Sequence, residues 1–210
     1  MDHLNHKVLM KNKFIMLAIV LMAAVSISGC QALKEDLPNS SETPVKSSWK
    51  SPKESVPVIK ETLMTYPSEE GGWTVDATNL WLEDNSLHEE SSLSLVNAQY
   101  NSYFILLQDK KENLPQGIDL TNYAELAGEA TLADHKEGEV TSMEDVKFGG
   151  ITGKRFYIKG KIDDISITYI FLVFQNENGY FQEIIWSSSE NIENNQGYYS
   201  DILLSFKFAR

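Results

Sequence analysis

The chain has 210 residues, with 18 lysine and arginine against 30 aspartate and glutamate, four histidines and one cysteine, for a formal net charge of −12. That excess of acid argues against nucleic acid and against unaided binding to anionic lipid surfaces, because affinity for phosphates comes largely from basic groups that displace counterions. A single cysteine leaves no internal disulfide, so stability must come from an apolar core.

Lys7, Lys11 and Lys13 precede Phe14 to Val25, FIMLAIVLMAAV, a stretch without a charged or polar side chain. At 1.5 Å per residue these twelve residues cover about 18 Å of a hydrocarbon layer roughly 30 Å thick, too little for a permanent span and suited to the apolar region of a signal peptide. Ile27-Ser28-Gly29-Cys30 follows, and this order of basic flank, apolar run, small residues and cysteine resembles the lipobox of bacterial lipoproteins. The resemblance implies that residues 1–29 are a removed signal peptide and that the Cys30 thiol receives a diacylglycerol. The lipid on Cys30 would then hold the protein to the cell membrane from outside the cytoplasm, and two or more acyl chains anchor stably where one does not. The cysteine is expected to be an anchor and not a catalyst. Removal of residues 1–29 takes away three lysines and Asp2, which leaves 15 basic against 29 acidic side chains, a net of −14.

Residues 31–58 hold four of the six prolines and six serines with no hydrophobic period, a composition that buries too little apolar surface to offset the entropy of ordering. With Cys30 they are expected to form a disordered tether with an r.m.s. reach of about 30 Å. The alternative is that Trp49 anchors a small ordered element there. The long tether, the acidic lysine-containing composition and Gln31, which is not the aspartate of an inner-membrane retention signal, point to a Gram-positive surface.

Residues 59–210 show no repeat and no second change of composition, and are expected to form a single globular α+β domain. GWTVDA (72–77), LWLE (80–83), SSLSLV (91–96) and SYFILLQD (102–109) predict strands, the last two flanking the hairpin turn NAQYN. A helix is predicted over 119–135, where Leu120, Tyr123, Ala127 and Ala130 share a face and Asp119 is a cap, although Gly128 weakens it. KRFYIKG, ISITYIFLVF and YFQEIIWSS, joined by KIDD and QNENG, predict an antiparallel meander, since such short links cannot make a parallel crossover. In the central run Ile165, Ile167, Tyr169, Phe171 and Val173 fall on one face, while the other begins with Ser166 and Thr168 and ends with Ile170, Leu172 and Phe174. Both faces of its second half must be covered. A second helix is predicted from Ser187, with Ser187 and Glu190 at capping-box spacing and Tyr199, Ile202, Leu203 and Phe206 as its apolar stripe.

The early strand pair with Gly72-Trp73, the mid-chain helix, Val146 to Arg155 leading into aromatic-rich strands, the Trp186-Ser187 strand end and the closing Ile202 to Lys207 together resemble the Mog1/PsbP-like superfamily over residues 65–208. That resemblance implies an antiparallel β-sheet packed between helices, an α/β/α sandwich. Its better-known members are binding or assembly factors, some on photosystem polypeptides and one on a small GTPase, and neither role transfers residue by residue. Fold carries over more safely than function.

Chemical motifs are sparse. GGITGKR lacks the glycine at Phe148 and the serine or threonine at Arg155 that a phosphate loop needs, so its glycines are read as a turn. His88 and His135 lie apart in polar sequence and are read as solvated loop residues. No GxSxG, HExxH or Cys–His pair occurs, and no cofactor is expected. Glu89-Glu90 and Asp163-Asp164 offer oxygen ligands to Ca²⁺, but no DxDxDG loop frames them and solvated turns are the plainer reading. Trp73, Trp81, Tyr198 and Tyr199 form the candidate binding patch, against the simpler alternative of core packing. Two function classes follow. The first is a membrane-anchored, non-enzymatic binding or assembly module for a protein, peptide or envelope component; the second is a carboxylate- or metal-dependent envelope hydrolase, which would require Asp163 or Glu183 beside another acid in a closed cavity.

Overall fold

The structure, a computed structural model, describes residues 60–70, 72–133 and 135–209; the expected signal peptide, Cys30 and tether with Trp49 lie outside the described residues. In chain order the elements are β1 (Leu63–Pro67), β2 (Trp73–Thr78), β3 (Leu82–Glu83), β4 (Leu93–Asn97), β5 (Ser102–Lys110), α1 (Leu120–Leu132), β6 (Lys136–Val140), β7 (Glu144–Phe148), β8 (Ile151–Ile162), β9 (Ile165–Gln175), β10 (Gly179–Ser188), α2 (Ser189–Asn194), α3 (Gln196–Leu203) and β11 (Lys207–Phe208). Eight strands build one antiparallel sheet in the order β3-β4-β5-β10-β9-β8-β6, with β7 also on β8, and the order β1-β2-β11 gives a second, three-stranded sheet.

The two-residue period of β9 sorts its side chains between two cores. Tyr169, Phe171 and Val173 join Phe156, Ile158, Ile184 and the α1 residues Tyr123 and Ala124 on one face. Ile170, Leu172 and Phe174 join Trp73, Val75, Phe181, Ile192, Tyr199 and Phe206 on the other. The fold is therefore α+β with an antiparallel sheet covered on both sides, and the small sheet shares the second face with α2 and α3, an element the sequence pattern does not reveal.

Local chemistry explains the connections. Gly149-Gly150 links Phe148 to its partner Ile151 with φ of 52° and 85°, and Asp163-Asp164 links Ile162 to Ile165 with φ of 47° and 66°. Positive φ at both central residues marks the type I′ hairpin, whose twist matches that of the strands. Asp119 caps α1 by accepting from the Asn122 N–H at 2.8 Å. Gly128 lets the helix lie close to the sheet, since a Cβ there would stand 3.2 Å from Phe156. The cap of the second helix is corrected by one residue: Ser188 accepts from the Asn191 N–H, whereas Ser187 is still in β10 and donates to the Asn101 carbonyl at 2.9 Å. The helix also breaks at Asn195 into α2 and α3.

Candidate functional site

The four aromatic residues singled out from sequence do not make a surface patch. Trp73, Trp81 and Tyr199 are buried and belong to the core under the small sheet, Trp73 from the inward face of β2, Tyr199 from that of α3 and Trp81 from the segment before β3. Tyr198 alone is half-exposed. Its phenol oxygen gathers Trp81 Nε1 at 2.8 Å, Asn97 Nδ2 at 3.2 Å and Thr78 Oγ1 at 2.9 Å, which ties α3 to β2, to the segment before β3 and to β4. The Tyr100 ring lies against it at 5.5 Å.

This hub lies beside an open corner of the fold. Leu63 is 72 %, Met64 47 % and Leu82 66 % exposed, three large apolar side chains contributed by β1 and β3. Leu63 is the register partner of Thr78, whose hydroxyl meets the Tyr198 phenol. Tyr66, two residues beyond Met64 on the same face, donates its hydroxyl to the Trp81 carbonyl at 2.6 Å, next to Leu82. The corner is acidic: burial first, and then the Glu83 carboxylate, raise the Tyr66 phenol above its ordinary range, and Glu61 acts on Tyr198 in the same sense. Glu61, Glu69, Glu70 and Glu83 are all exposed. Among the described residues β1 is an edge strand, paired only with β2.

The other candidates fall elsewhere. Glu89 and Glu90 are exposed and Asp163-Asp164 form the tip of the β8–β9 turn; no group of three or more His, Cys, Asp or Glu suited to a metal ion occurs among the described residues. The Gly149-Gly150 pair is a hairpin turn between two strands, not a strand-to-helix phosphate loop. His88 is a correction, since it is buried: the loop between β3 and β4 folds Leu87 onto the core beneath α1 and carries the histidine in, where Nδ1 accepts from the Glu90 N–H at 3.2 Å. His135 is half-buried with its ring 5.2 Å from Tyr169.

Glu183 is the unusual acid. It lies in the middle of β10 between its register partners Leu106 and Leu172, fully buried, and neither carboxyl oxygen has a hydrogen-bond partner. Burial pushes it well above the usual carboxylate range, and no second acid contributes. Arg155, the next side chain along that row beyond Leu172, is held by Glu144 at 2.6 Å. Glu183 and Asp163 therefore do not meet, and the paired-acid geometry that a hydrolase needs is not formed by them.

No family model matches the sequence, and no curated protein matches it. Among solved structures the solution structure of cyanobacterial PsbP (CyanoP) from Synechocystis superposes with a TM-score of 0.53 at 10% identity, covering 70% of this chain and 93% of that one. The fold is PsbP-like. A crystal structure from Bacteroides thetaiotaomicron matches with a TM-score of 0.50 at 10% identity over 70% of this chain and 48% of that one. LpqN of Mycobacterium tuberculosis, involved in cell envelope biogenesis, matches with a TM-score of 0.49 at 9% identity over 71% of this chain and 92% of that one.

On this PsbP-like domain a cleft of about 270 Å³ lies at the opposite edge of the main sheet, between Glu137, Glu139, Glu193, Lys159 and Lys161. Within it Lys161 and Glu137 form an ion pair at 3.2 Å. A cross-strand row of rings, Tyr103 on Trp186 at 5.2 Å and Trp186 on Tyr169 at 6.0 Å, runs from the half-exposed Tyr103 and Trp186 to the buried Tyr169. The large apolar residues exposed among the described ones are Leu63, Met64, Leu82, Val140, Ile165 and Leu204; the first three were not among the sequence candidates, and the alternation of Leu63, Thr65 and Pro67 against Met64 and Tyr66 was the available signal.

Proposed function

We propose that this protein is a lipid-anchored, extracytoplasmic binding or assembly module, held to the membrane of a Gram-positive surface through Cys30, spaced by residues 31–58, and recruiting a protein through the β1 corner. The observation that carries the reading is that β1, an edge strand among the described residues, exposes Leu63 on one face and Met64 on the other, with Leu82 of β3 exposed as well. Large apolar side chains left exposed along an edge strand, with carboxylates around them, suit an interaction surface. Most of the binding energy in such surfaces resides in a few apolar and aromatic residues, and the half-exposed Tyr100 and Tyr198 extend this corner.

The anchor is tested by metabolic labelling with an alkyne fatty acid. The wild type incorporates label and moves with the membrane fraction, and Cys30→Ala does neither; equal labelling of both would remove the anchor from the proposal. The surface is tested by cross-linking in intact cells, comparing the wild type with Leu63→Asp and Leu82→Asp. An adduct present in the wild type and lost in both variants supports the corner, and adducts that survive both substitutions place recruitment elsewhere.

A further inference from the structure

The hydrogen-bond pattern of β1 says which backbone groups are unclaimed. The Thr62 carbonyl accepts from the Asn79 N–H at 2.9 Å and the Ser68 N–H donates to the Trp73 carbonyl at 3.0 Å, so the even-numbered residues of this strand face β2. In an antiparallel pair the residues between them point their N–H and C=O the other way. Among the described residues Leu63 and Thr65 therefore present two donors and two acceptors to the edge opposite β2, and Pro67, with no N–H, adds only its carbonyl. Such an edge is normally blunted by a lysine, a bulge or a short length. Here Pro67 is the only blunting device in β1, and it sits at the last residue.

We propose that β1 accepts a fourth strand: an extended, cationic segment of a partner polypeptide, with basic and apolar residues in alternation, adds to the edge opposite β2. This rests on the β1 corner being the recruiting surface and specifies how it recruits. Main-chain bonds supply the affinity in strand addition and alternate side chains supply the choice of partner. On the outer face the added strand lies beside Leu63 and Thr65, and its inward residues approach Met64 and Leu82. Charge selects the class. The edge is bounded by Glu61 before it and Glu69 and Glu70 after it, with Glu83 facing Tyr66, and the chain after residue 29 carries a net of −14. The cations nearby are Lys60 and Lys207, and Lys207 is bound to Asp76 at 2.8 Å. A second copy of this acidic chain is repelled from the same edge, whereas a lysine-bearing strand is drawn to it.

The test uses the full-length protein in detergent and a fluorescent synthetic peptide of alternating lysine and valine, with the glutamate–valine peptide as the charge control. The expected result is saturable binding of the lysine peptide alone, at least tenfold slower amide exchange at Leu63 and Thr65 on binding, and an affinity that falls with salt. Thr65→Pro removes one edge N–H and lowers affinity at least tenfold, while Pro67→Thr adds a donor and raises it several-fold. If Thr65→Pro does not fold, Pro67→Thr decides: an affinity equal to wild type overturns strand addition. Binding without protection of Leu63 and Thr65 overturns it, and so does a dimer in sedimentation that the peptide dissociates, which would make a second copy the occupant. The two readings separate in the cellular cross-linking: an adduct lost in Leu63→Asp but kept in Thr65→Pro retains the corner and rejects the added strand, whereas one kept in both rejects the corner itself.

Discussion

Glu183 makes stability depend on pH in a direction opposite to that of most carboxylates. In the unfolded chain the group titrates near the ordinary value of 4.5, and in the folded domain burial raises it well above that. Between those two points the folded state holds one proton more than the unfolded state, so stability is fully present below about pH 4.5 and is lost as pH rises towards the folded value. The slope is about 1.4 kcal/mol per pH unit, so about 2.7 kcal/mol disappears across two units inside that window. The measurement is urea unfolding of the wild type and Glu183→Gln at half-unit steps from pH 5 to 8. The difference between the two stabilities should fall with pH, at that slope wherever the pH lies above the unfolded value and below the folded one. Glu183→Leu, which fits the apolar row of Leu106 and Leu172, also removes the uncompensated polar group and should be the more stable protein throughout, by about 1–3 kcal/mol even at pH 5. Parallel pH profiles for the wild type and Glu183→Gln would refute the reasoning, because they would mean that the carboxyl is solvated or partnered in the folded state.

Three further expectations can be checked by thermal or urea unfolding. Asp163→Asn with Asp164→Gly puts preferred residues at the two positive φ angles of the β8–β9 turn and should add about 1 kcal/mol, or about 2–4 °C in Tm, while millimolar calcium leaves the wild-type Tm unchanged. Tyr198→Phe strips the oxygen that takes the buried Trp81 indole N–H and the Asn97 amide, and should cost about 1–3 kcal/mol without altering the circular dichroism spectrum. Gly128→Ala, which at an exposed helical site would gain about 1 kcal/mol, should instead lose stability, because the new methyl meets Phe156 at 3.2 Å.

The parts of the fold that local chemistry determines were legible in the sequence. The meander of β8, β9 and β10 shows in its β-branched and aromatic runs and short polar links, and α1 shows in Asp119 and its apolar spacing, even with Gly128 inside it. The antiparallel sheet covered on both faces follows from the two apolar sides of Ile165–Gln175. What escaped depends on tertiary placement. LMTYP buries only Tyr66, so β1 carries no strong pattern of its own, and EDVKF and KEGEV give no strand signal because β7 and β6 are charged strands sharing the edge of β8. Adjacent serines at 187 and 188 allowed the helix cap to be placed one residue early. The same reason separates the expected patch from the observed corner. Trp73 and Trp81 are aromatic whether they face the core or a ligand, and nothing local to Leu63 or Leu82 says that its strand is the last in a sheet.

The three-stranded sheet joins the two ends of the described chain. β11 pairs Lys207 with Thr74 and Phe208 with Trp73, Ser205 accepts from the Asp76 N–H, and Lys207 reaches Asp76 across a separation of 131 residues. Closing a loop of that length costs about 4 kcal/mol of chain entropy, while the turns at Gly149-Gly150 and Asp163-Asp164 close over two residues each. Assembly order follows from this difference: the β8–β10 meander and the β1–β2 hairpin can form from their own residues, and β2 gains its third strand only with the far end of the described chain. Until β11 arrives, Trp73, Val75 and the core face beneath them lack their lid, so a ribosome or translocon releasing this chain from its first residue to its last leaves an unfinished apolar surface until the final strand emerges.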